Sequence, residues 1–74
     1  MATDPDIRTL AVSLLKDESA LGRVALGDKE WTVRMAAVDK LADAGVLAQV
    51  AQNDQDPDIR KRAVGRLSEL AAQP

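Results

Sequence analysis

The chain has no cysteine, no histidine, no tyrosine and no phenylalanine, and it carries a single tryptophan. Without cysteine there is no disulfide framework and no thiolate metal site. Without histidine the commonest general base and the imidazole ligand are missing too, which removes most nucleophile–base pairs and nearly every zinc or haem centre. No apolar run approaches the ~20 residues that a membrane span requires. Met1 leads into a polar, acidic segment rather than a charged-then-apolar leader, so the expected location is the cytoplasm. An excess of positive charge is lacking as well: 10 Lys and Arg stand against 12 Asp and Glu, a net charge of −2. That balance is opposite to the footprint of a nucleic-acid binder.

The 74 residues do contain a repeat, with Arg8, Arg34 and Arg60 spaced by 26 residues each time. Ile7/Val33/Ile59, Ala11/Ala37/Ala63, Val12/Val38/Val64 and Leu15/Leu41/Leu67 keep the same register. A fixed period of this size is the mark of stacked helical units. The copies run over 4–29, 30–55 and 56–74, within one domain spanning 1–74. Each opens as a helix: Asp4 and Asp56 are placed to cap, and Pro5 and Pro57 occupy the first helical position, where no donor is needed. At about 100° per residue the repeated apolar positions share one arc, and the arginine falls inside it. A charge there requires a partner. Asp28 and Asp54, six residues upstream of Arg34 and Arg60, are the expected ones, within hydrogen-bonding reach or in contact across adjacent repeats. The matching position for Arg8 is Ala2.

Between the long helices, expected over 5–16 and from Pro57 to about Ala72, two short elements are expected at 18–26 and 44–52. Asp17 and Asp43 are placed to cap them. Gly27 and Asn53, residues that adopt the left-handed conformation readily, are expected to end them. Gly22 and Gly45 each weaken these segments by roughly 1 kcal/mol relative to alanine, which points to some 3₁₀ character. The expected fold is all-α: a short right-handed α-α solenoid of about five helices, alternating long and short.

The aspartate in the turn, the proline near the helix start and the Val/Ile-Arg followed by Ala and Leu together resemble the HEAT-like repeat family, specifically its short bacterial type. The resemblance covers Asp28 to Leu41 and Asp54 to Leu67, with a headless copy at Asp4 to Leu15. Common HEAT units run about 40–47 residues, and the shorter period here is close to the leucine-rich repeat variant proteins, which alternate α and 3₁₀ helices. The resemblance implies a non-enzymatic protein–protein interaction or scaffold module whose partner is another protein. It also implies an alternative, because HEAT-like repeats occur in proteins resembling phycobilin lyases and in alkylpurine DNA glycosylases: a nucleic-acid-binding or enzyme-associated domain.

No catalytic, cofactor or metal residue is expected. The carboxylates recur at helix starts, where capping and the helix dipole account for them. The Asp54, Asp56, Asp58 alternation lacks the glycine and glutamate of a calcium loop, and Gly22 and Gly27 do not form a phosphate-cradling loop. In HEAT-like stacks the helix carrying the Val/Ile-Arg pattern lines the concave face. The positions Thr9/Met35/Lys61, Ser13/Asp39/Gly65 and Leu10/Ala36/Arg62 lie opposite or beside its apolar arc and change identity between copies. The expected partner-binding residues are therefore Met35, Asp39, Lys61, Arg62 and Arg66, with Trp31 at the rim. Trp31 has two readings: a brace between repeats, or an exposed interface anchor. Leu10 and Leu14 widen the apolar arc of the first helix and likewise have two. They pack within the chain, or they mark an end that forms a weak homodimer through the N-terminal helix.

Overall fold

The computed structural model describes residues 4–73, and over these the chain is all-helical, with no strand. Five helices follow one another: α1 Pro5–Leu14, α2 Glu18–Gly27, α3 Trp31–Lys40, α4 Ala44–Asn53 and α5 Pro57–Ala71. The first four have ten residues each and α5 has fifteen. The expected alternation of long and short is thus absent. Glycines at 22 and 45 do not shorten α2 or α4 or turn them into 3₁₀ helix, because the apolar stripe Leu21, Ala25, Leu47 and Val50 is buried against neighbouring helices. Tertiary burial outweighs a propensity deficit of ~1 kcal/mol.

Capping follows local chemistry. The Asp4, Asp17, Asp43 and Asp56 carboxylates accept from the backbone N–H two residues on, at 2.8, 2.8, 2.9 and 2.8 Å. The helix ends depart from expectation. Gly27 and Asn53 are the last helical residues, and no described residue has a positive φ. The chain leaves each helix through an extended aspartate instead, Asp28 or Asp54, whose N–H still donates to Val24 O or Val50 O. Each of these aspartates then accepts the N–H of the residue two further on, Glu30 or Asp56, at 2.9 Å. The turn is closed by an aspartate side chain, so no left-handed residue is required.

Helices α1, α3 and α5 pack side by side, α2 lies against α3, α4 lies against α5, and α2 touches α4. The described chain measures 42 × 25 × 16 Å. Its core is one cluster of Val12, Leu21, Ala25, Val33, Ala37, Val38, Leu41, Leu47, Val50, Ile59 and Ala63, with Leu15 and Leu67 packed against it.

Candidate functional site

Three kinds of site are built on this frame: an internal ladder of charge, an ionic network on the faces of α3 and α5, and uncovered flanks on α1 and α5.

Of the two expected arrangements, the carboxylate pairing of the ladder runs across adjacent repeats. Arg34 Nε and Nη2 donate to Asp54 Oδ2 and Oδ1 at 3.0 and 3.3 Å, and Arg8 meets Asp28 in the same way at 3.0 and 3.2 Å. Arg8 and Arg34 therefore each grip the aspartate twenty residues downstream, in the turn that leads into the next long helix. The upstream aspartate offers only its backbone: Arg34 Nη1 donates to Asp28 O at 2.8 Å and Arg60 Nη1 to Asp54 O at 2.6 Å. The reason is steric. An aspartate closing its own turn through the N–H two residues on points its carboxylate toward the preceding unit, while its carbonyl faces forward. Arg8, expected to lie opposite Ala2, has its carboxylate partner in Asp28; Ala2 lies outside the described residues.

Burial works to raise the Asp28 pKa, but the Glu30 N–H and the Arg8 guanidinium outweigh it, and the carboxyl sits below its ordinary value. Every buried side-chain polar atom among the described residues has a partner. The ladder is thus internally satisfied as far as Arg34. Among the described residues Arg60 donates from Nη1 only, with no carboxylate within ion-pair distance.

The sequence-predicted partner residues divide. Asp39 and Arg62 form an exposed ion pair, and Glu69 lies 3.7 Å from Arg62 and 3.5 Å from Arg66. The hydrogen bond to Asp39 raises the Arg62 pKa. Arg66 donates from Nε and Nη2 to Leu41 O at 3.2 and 2.7 Å, capping the C-terminal end of α3, where a cation is favoured. Lys40 does the same for α1, reaching Ser13 O at 2.6 Å. Met35 is half-buried against the core. Trp31 stays 53 % exposed and lines a groove with Arg34, Asp56, Pro57 and Asp58. It lies about 12 Å along α3 from Asp39, eight residues at 1.5 Å each. Lys61 is exposed and lines a separate groove on α5 with Pro57, Arg60, Val64 and Gly65. Asp39, Arg62 and Arg66 are therefore joined in one network, and Trp31 and Lys61 lie elsewhere.

Leu10 and Leu14 do not pack within the chain. They are 64 % and 73 % exposed, and Ile7 on the same stripe is 60 % exposed. Among the described residues no helix covers this flank of α1, whereas the equivalent flanks of α3 and α5 lie against a preceding helix. Sequence reasoning missed Ile7 and Val64, because their repeat equivalents are core residues. It also missed Glu18, whose Oε1 accepts the N–H groups of Ala42 and Asp43 at 2.9 and 3.0 Å and ties the start of α2 to the α3–α4 turn. Nothing in the repeat pattern signals that role, since its equivalent is Ala44.

Among the described residues no cluster of three or more carboxylates could hold a metal ion, and no helix is long and apolar enough to cross a membrane. Comparison with protein-family models, with curated proteins and with solved structures finds no match.

Proposed function

We propose that this chain is a non-enzymatic protein-interaction or scaffold module, a short HEAT-like α-α stack acting in the cytoplasm with another protein as its partner. The observation that carries this reading is the uncovered apolar stripe of α1: Ile7, Leu10, Ala11 and Leu14 recur at helical spacing and are all exposed. Such a stripe has a cost in water of about 25 cal/mol per Å² of apolar area, which burial in a complex recovers. Contiguous exposed apolar surface of this kind marks interaction sites. Trp31, exposed above an acidic turn, gives a second point of attachment.

The Asp39, Arg62 and Arg66 network supports the stack first, because these residues must release each other or the Leu41 carbonyl before engaging a partner. The test is retention of proteins from the native extract on the immobilised chain and on its Leu10→Glu variant. A protein held by the first and lost from the second is the expected result. Identical retained sets would remove the α1 stripe as the interaction surface.

A further inference from the structure

Among the described residues two flanks of this molecule are uncovered, one on α1 and one on α5. Each long helix has a leading flank, facing the helix before it, and a trailing flank, facing the helix after it. The leading positions are Ile7/Val33/Ile59 and Ala11/Ala37/Ala63. Val33, Ala37, Ile59 and Ala63 are fully buried, while Ile7 and Ala11 are exposed. The trailing position is Val12/Val38/Val64; Val12 and Val38 are buried and Val64 is 53 % exposed. The open trailing flank of α5 forms a groove of about 490 Å³ along Pro57, Arg60, Lys61, Val64 and Gly65. The open leading flank of α1 is the apolar stripe already described.

The internal contacts supply the register in which the two would meet. In the α3–α5 contact Arg62 faces Asp39, and Arg66 reaches the Leu41 carbonyl. Advancing that contact by one 26-residue unit puts α1 of a second molecule against α5 of the first. Leu10 then stands where Arg62 stood and Gly65 where Asp39 stood, while Leu14 comes over Leu67. An ion pair is replaced by a leucine facing a glycine, so polarity and size change together on both sides.

Charge follows the same register. The internal groove that brings Trp31 and Arg34 to Asp56, Pro57 and Asp58 becomes Pro57 and Arg60 against Asp4, Pro5 and Asp6 of the second molecule. Arg60 faces an acidic helix start there, while the register position of Asp28 and Asp54, which Arg8 and Arg34 hold through Nε and Nη2, falls on Ala2 of the second molecule.

We infer that the occupant of the α1 stripe is the α5 groove of a second copy, and that the molecule stacks head to tail, continuing the row of α1, α3 and α5. This rests on the reading of that stripe as an interaction surface and names its partner. The contact is heterologous, so it does not close at a dimer. It reproduces only the long-helix half of the repeat interface, with no short helix between α5 and the incoming α1, so association is weak and reversible.

The test is sedimentation equilibrium of the full chain over a wide concentration range at low ionic strength, together with Leu10→Glu and Val64→Glu, both at exposed positions. Circular dichroism confirms that each variant keeps the wild-type helix content. Expected are a wild-type mass that climbs with concentration past the dimer, each variant alone monomeric, and an equimolar mixture that recovers a dimer and stops there. The mixture stops because one intact stripe meets one intact groove and the remaining pair sets Glu against Glu. A wild-type chain that stays monomeric at millimolar concentration overturns the stack while leaving capture of a different protein by the stripe intact. Val64→Glu associating as well as wild type, or a mixture that stays monomeric, overturns it in favour of α1 pairing with α1 or of no defined contact.

Discussion

Arg34 is 6 % exposed, and its guanidinium donates to both Asp54 carboxylate oxygens and to the Asp28 carbonyl. Alanine at this position leaves the Asp54 carboxylate, itself 6 % exposed, without its cation. The expected loss is about 3–5 kcal/mol, read as a lower urea midpoint. Arg8→Ala should cost clearly less, because the Arg8–Asp28 pair is 21 % and 13 % exposed and water screens it. Asp28 adds a pH dependence. Its folded-state pKa lies below its unfolded value, so its contribution is complete above the ordinary carboxylate range near 3.9 and is lost as pH falls through the folded value. Asp28→Asn should therefore be less stable than wild type at pH 7, with the gap closing as both are unfolded at progressively lower pH. A gap that stays constant down to pH 2 would show that the Asp28 side chain acts independently of its charge. The sequence revealed that an arginine sits in the apolar arc and that an aspartate accompanies it in each full unit. It did not reveal which aspartate, because that depends on the direction in which an Asx-type turn points its carboxylate.

The helices begin on side-chain chemistry that is legible residue by residue, and the four capping aspartates were readable for that reason. The ends of α2, α4 and α5 fall within one residue of expectation, and what was not legible is that α2 and α4 are α-helix throughout. Gly22 in α2 lowers helix propensity, yet the helix runs past it because Leu21 and Ala25 on either side are buried. A Cβ built at Gly22 would lie 3.5 Å from a Val46 methyl, an ordinary contact. Gly22→Ala should accordingly stabilise the chain by about 0.5–1 kcal/mol and tighten α2 against α4, seen as a higher melting temperature. Asp43→Ala should act oppositely, by about 1 kcal/mol, since Oδ1 serves the N–H groups of both Gly45 and Val46. The left-handed ends anticipated at Gly27 and Asn53 failed because Gly and Asn permit that conformation without requiring it. The following aspartate satisfies the same carbonyl and N–H groups in an extended one.

At the scale of the molecule, one substitution made at three equivalent positions separates what sequence determines from what neighbours determine. Val12, Val38 and Val64 occupy the same register, yet they are 2 %, 0 % and 53 % exposed. The repeat makes them indistinguishable on paper, which is why the period was legible and the exposure of Val64 was not: burial belongs to the pair of surfaces. Alanine should cost about 2 kcal/mol at Val38, where the loss of two methyl groups leaves a cavity in the core. Val12→Ala should cost nearly as much. Val64→Ala should fall within ~0.5 kcal/mol of wild type when unfolding is followed in dilute solution, where neighbouring molecules do not cover α5. Three equal costs would mean that α5 is covered by something in solution even in the monomer. A graded series, with Val64 alone near zero, identifies the trailing flank of α5 as surface available to a partner.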